Sequence, residues 1–63
     1  MKKRAEPLEP LLTIDQAAEI LNASARTVRR RIKARELPVI QDGRLVRIHP
    51  EDLRRYIAQK RAF

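Results

Sequence analysis

Between Ser24 and Arg35 the chain reads Ser-Ala-Arg-Thr-Val-Arg-Arg-Arg-Ile-Lys-Ala-Arg, with six cations and no acid, Gly or Pro. The chemistry open to such a set is recognition of anions, not bond making. A guanidinium offers a planar fork of donors that meets phosphate oxygens, or the O6 and N7 of guanine, two at a time, whereas an ammonium acts as a point charge. Groups that make or break bonds are scarce. There is no Cys, a single His and a single Gly, which excludes disulfides, thiolate and multi-His metal sites, and a Gly-rich phosphate loop. The carboxylates of Asp15, Glu19, Glu36, Asp42, Glu51 and Asp52 fall at caps, turns or exposed faces, and no nucleophile stands beside a base. No catalytic residue, metal, cofactor or small-molecule substrate is therefore expected.

The cations need a helix to align them. Ser24 is a fitting N-cap, and at about 100° per residue Val28 and Ile32 share one side with Ala25 beside them. Arg26, Arg30 and Lys33 fall opposite, flanked by Thr27 and Ala34. Such a helix fits against nucleic acid while the rest of the chain holds its back. Arg30, near the middle of the cationic face, is the first candidate for base readout and Arg26 the second, with Arg29 and Arg31 assigned to phosphate. Ser24 and Thr27 are capping and helix-start residues, a position that also suits phosphate.

The flanking stretches supply the support. Thr13 and Gln16 have capping-box spacing, Asp15 lies in the first turn, and Ala17, Ala18, Ile20 and Leu21 form an apolar side. That helix should end near Asn22, which tolerates the left-handed conformation. Asn22-Ala23-Ser24 is then a tight turn between two helices, the sequence form of a helix-turn-helix. Beyond the basic helix, Glu36-Leu37-Pro38 is a stop. Val39–Gln41 and Arg44–Ile48 read as strands joined by a two-residue Asp42-Gly43 link, so that Gln41 faces Arg44 and Val39 faces Val46. In this wing Arg44 stands beside the tip, poised for a minor groove, and Arg47 either contacts DNA or pairs with Glu51 or Asp52. Pro50 opens a third helix with His49 near its cap; Leu53, Tyr56 and Ile57 are spaced to pack inward, while Arg54, Arg55, Lys60 and Arg61 stay outside.

A chain of 63 residues makes one small domain, burying about 60% of the surface it exposes when unfolded. We divide it into a charged leader (1–10), a folded domain (11–60) and a short tail (61–63). The leader either adds phosphate contacts through Lys2, Lys3 and Arg4 or is a solvated end. It is not read as a signal peptide, because Glu6, Pro7, Glu9 and Pro10 occupy the place of an apolar core. No apolar run approaches the roughly 18 residues of a membrane span, and a cytoplasmic setting is expected. The net charge is +7 with a sequence pI near 11.1, and eleven of the fifteen cations are Arg, which favours a nucleic acid partner over a membrane or an acidic protein. Two aromatic residues are too few for a base-stacking platform. The apolar residues are nearly all taken by the expected core, which argues against a large dimer interface.

Taken together these elements describe a mainly α chain with a two-stranded β-hairpin, a winged helix-turn-helix. From Leu11 to Ile57 the sequence resembles the excisionases and related small winged-helix proteins, kin to the merR-type DNA-binding domains. The resemblance rests on Leu-Thr-Ile-x-x-Ala-Ala at 12–18, Ser-x-Arg-Thr-Val at 24–28, Glu-Leu-Pro at 36–38 and Arg-Ile-x-Pro-Glu-Asp-Leu at 47–53. It implies that the second helix enters the major groove of double-stranded DNA and that the wing reaches backbone or minor groove. It further implies cooperative binding of neighbouring protomers and bending that biases an integrase toward excision. Two positions depart from the pattern: Arg35 stands where the family commonly has Gly, and Arg31 where an apolar residue is common. Three rival readings share the composition: a transcription regulator of the merR-like type, a basic RNA-binding protein, and an adaptor for an acidic partner.

Overall fold

Each helix starts where a side chain takes up backbone amides that have no partner within the helix. In the computed structural model, which describes residues 9–62, the first helix, α1, spans Ile14–Leu21. Thr13 Oγ1 accepts from the Gln16 amide at 3.0 Å, and Gln16 Oε1 accepts from the Thr13 amide at 2.9 Å, a complete capping box. The helix closes on Asn22 at φ 55°, with the Asn22 and Ala23 amides donating to the carbonyls of Glu19 and Ala18, the paired bonds of a Schellman motif. The basic helix, α2, spans Ala25–Lys33, and Ser24 Oγ accepts from the Thr27 amide at 3.1 Å. Its end repeats the same closure one residue type out of place: the Arg35 and Glu36 amides donate to Ile32 and Arg31, with Arg35 at φ 62°. The third helix, α3, spans Pro50–Lys60; His49 Nδ1 accepts from the Glu51 amide at 3.0 Å. The leader cations Lys2, Lys3 and Arg4 lie outside the described residues.

The wing differs from its expected register. Strands β1 (Ile40–Asp42) and β2 (Leu45–Arg47) pair antiparallel with Gln41 opposite Val46 and Asp42 opposite Leu45. The link is therefore Gly43-Arg44, not Asp42-Gly43. An Asp-Gly link needs positive φ at both central residues, whereas here Gly43 alone has it, at 61°, as in the hairpin turn that places Gly first. Arg44 consequently sits in the turn itself. Because the pairing slips by two residues, every side chain keeps its face. Gln41 and Val46 share one face, and Ile40, Asp42, Leu45 and Arg47 the other.

Helix α1 meets α2 through small side chains. Ala17 and Ala18 are buried and let Val28 approach; Leu37, Ile48, Leu53 and Tyr56 complete the core. Leu12 and Ile48 exchange two backbone bonds of 2.8 Å, which ties the segment before α1 to the segment before α3. Two residues expected in the core are outside it, Ile20 at 56% exposed and Ile57 at 38%. The cause is angular. Ile20 lies about 110° from the direction shared by Ala17 and Ala18, and Ile57 about 70° from that of Leu53 and Tyr56. Leu11, Ile40 and Leu45 are exposed as well, so the core does not take up nearly all the apolar residues.

Helix α3 is anchored at its far end by Lys60, whose Nζ lies 3.0 Å from Glu36 Oε1 and 5.7 Å from the centre of the Tyr56 ring. The hydrogen bond from Lys60, then its charge, and more weakly the charge of Arg31 hold the Glu36 carboxyl below its ordinary value. A carboxylate depressed in this way contributes stability at pH above its unfolded value and loses it as pH falls through the folded one. Melting followed from neutral pH down through about pH 3 should therefore show a steeper acid loss in the natural chain than in Lys60→Met. Parallel profiles would mean that the pair is not linked to folding.

Candidate nucleic-acid interface

The cations divide into two groups according to whether a carboxylate is at hand. On α3, Arg54 meets Glu51 at 2.9 Å and Glu9 at 3.3 Å, Arg55 meets Asp52 at 3.6 Å, and Lys60 meets Glu36. The Glu9 hydrogen bond, followed by that of Glu51, raises the Arg54 guanidinium above its already high value. On α2 and the wing the arrangement is reversed. Among the described residues no carboxylate oxygen lies within 4.0 Å of Arg26, Arg29, Arg30, Arg31, Lys33, Arg35, Arg44 or Arg47. Helix formation accounts for part of this. The last turn of α2 holds Arg30, Arg31 and Lys33 at the negative end of its dipole, and its first turn contains no acid.

All five predicted cations of α2 are solvent-exposed: Arg26, Arg29, Arg30, Arg31 and Lys33. Val28 is buried behind them and Ile32 half-buried, so the narrow apolar seam holds the helix while its outer side stays free. Ser24 Oγ and Thr27 Oγ1 lie 3.0 Å apart, which places both hydroxyls at the start of the helix. The helix and the wing flank one groove. Arg29, Ile32 and Lys33 form its helix side, and Val39, Gln41 and Val46 its wing side.

The structure brings Arg29 and Lys33 to the wing edge of α2, leaves Arg44 exposed at the tip, and separates Arg47 from them on the opposite hairpin face. Of the two partners weighed for Arg47, neither is taken. Its Nη1 donates to the Val46 carbonyl at 2.8 Å, and Glu51 and Asp52 pair within α3. Two residues in or beside the groove were missed. Gln41 lies on the same face as Val46 and points its amide toward the tip, Nε2 standing 3.4 Å from the Gly43 carbonyl. Its signal was a polar residue in an apolar alternation, Val39-x-Gln41. The second is Arg35, which lines the neighbouring hollow with Lys33 and Gln41.

A family model described as a helix-turn-helix domain matches residues 11–61. The chain belongs to the helix-turn-helix domain family. No curated protein and no solved structure matches it. As a helix-turn-helix domain it binds double-stranded DNA, and the family acts by binding as a rule, without catalysis. The wing after α2 makes it the winged form. None of its described helices is long and apolar enough to cross a membrane.

Proposed function

We propose that this helix-turn-helix domain is an excisionase, binding neighbouring DNA sites cooperatively and bending the duplex so that an integrase acts in the excising direction. The observation that carries its DNA-facing side is the sorting of charge: among the described residues, eight cations of α2, its C-terminal turn and the wing lie without a carboxylate oxygen within 4.0 Å, while Arg54, Arg55 and Lys60 of α3 are paired and Arg61 at its end is not. In this reading α2 lies in the major groove. Arg30 reads a base, with Arg26 beside it; Arg29, Arg31 and Lys33 meet phosphate; Ser24 and Thr27 hold a phosphate at the helix start. Arg44 reaches the minor groove from the wing tip and Arg47 supports the wing against the backbone. Support for contact between protomers, or with an integrase, comes from a hollow whose lining shares no residue with the groove beside the wing. There Leu12, Ile20, Pro50, Leu53 and Ile57 line a shallow apolar groove between α1 and α3. In this reading the protomers associate weakly on DNA through small contacts, not as a permanent dimer.

The test is selection of bound fragments from the source genome, with affinities of the winners measured across a salt series. Short repeats beside an integrase attachment site, bound cooperatively, are the expected result. Sites at a promoter would replace this reading with that of a merR-like transcription regulator. Uniform binding that fades steeply with salt would leave only the electrostatic part.

A further inference from the structure

Resting on the DNA-binding reading above, we infer that Arg35 is a phosphate clamp at the junction of α2 and the wing, held in a strained backbone conformation that places its guanidinium there. Two non-Gly residues among those described have positive φ, Asn22 and Arg35. Asn suits that region through its short polar side chain, but an Arg meets the clash of Cβ with its own carbonyl that Gly escapes. The position requires the conformation, because the Arg35 and Glu36 amides must turn back to Ile32 and Arg31 to close the helix, each at 3.0 Å. Gly would close it at lower cost.

What Arg adds is a charge in a particular place. Arg35 lines the hollow between the end of α2 and β1 together with Lys33 and Gln41. It is exposed, and among the described residues no carboxylate oxygen lies within 4.0 Å of it. Glu36, next in the chain, is engaged by Lys60 at 3.0 Å and so does not neutralise it. A fork of donors beside an ammonium and an amide, with no carboxylate partner among the described residues, fits a phosphate oxygen pair. The conformation is explained by helix closure, but the choice of Arg over Gly there is not, and a strained residue of that kind points to a role in binding.

The experiment compares Arg35→Gly, Arg35→Asn, Arg35→Lys and Arg30→Ala on one duplex across a salt series, with melting curves of each protein. Relief of the backbone clash should raise the melting temperature of Arg35→Gly by about 4–8 °C. The same variant, and Arg35→Asn, should bind about eightfold more weakly at 0.1 M salt, with a log-log salt slope smaller by about 0.9, the value for one phosphate. Arg35→Lys should retain most of the slope. A more stable protein that binds less well is the signature. If Arg35→Gly and Arg35→Asn bind as the natural chain does while Arg30→Ala is impaired, the clamp is wrong and the DNA-binding reading stands. If Arg35→Gly melts lower and the slope is unchanged, Arg35 serves packing alone and the clamp is again wrong. Failure of the natural chain to bind duplex DNA would overturn both.

Discussion

Leu37→Ala should cost about 2–5 kcal/mol, the range for emptying a buried Leu site, and leave the protein largely unfolded near 37 °C. Leu37 is 1% exposed and, with Ile48 and Val28, is among the largest fully buried side chains. A domain of this length has roughly 3–9 kcal/mol of stability in total, and each kcal/mol moves its melting midpoint by about 4–8 °C. Truncation leaves a cavity that the neighbours cannot close, because Glu36 is tied to Lys60 and Pro38 fixes the chain on the other side. The companion variant is Ile20→Ala, on the exposed side of α1, which should change stability by less than about 0.5 kcal/mol. Urea denaturation of both decides the matter. A larger loss from Ile20→Ala than from Leu37→Ala would mean that α1 packs by a different face.

Arg30→Ala should weaken DNA binding by about 1–3 kcal/mol and relax preference at one base position. Arg30 lies on the exposed side of α2 with no carboxylate oxygen within 4.0 Å among the described residues. The fold does not depend on it, so melting should be nearly unchanged and any lost affinity belongs to the interface. Binding measured against the preferred site and a set of single-base variants separates two roles. A base contact makes the loss greatest on the preferred site and flattens the series. A phosphate contact weakens every sequence alike and lowers the salt slope by about one. Unchanged affinity would remove Arg30 from the interface and move the reading helix face toward Arg29 and Lys33, which line the groove beside the wing.

Local signals decided a large part of this protein. Thr13 with Gln16, Ser24, and His49 with Pro50 each mark a helix start, and the backbone bonds there are made within three residues of sequence. Asn22 marks an end for the same reason, since only its own conformation and the preceding turn are involved. The cationic surface of α2 was legible too, because helical period alone puts Arg26, Arg30 and Lys33 opposite Val28. What the sequence left undetermined depends on partners far along the chain. Asp-Gly suggested one hairpin link, yet pairing across the strands selected Gly43-Arg44, and a two-residue slip leaves the apolar pattern unchanged, so no periodicity could show it. Leu37 read as part of a helix stop before a proline; its place in the core comes from residues distant in sequence, Ile48, Leu53 and Tyr56 among them. Ile20 and Ile57 fit an apolar stripe but fall at its edge, and the width of the buried stripe is set by the neighbouring element. The division of cations into paired and unpaired also belongs to the tertiary structure. Sequence alone determined which residues are charged and which share a helix face. Only the fold decided that Glu9 and Glu36 reach α3 while, among the described residues, no acid pairs with the cations of α2, because an ion pair depends on distance in space and not on separation along the chain.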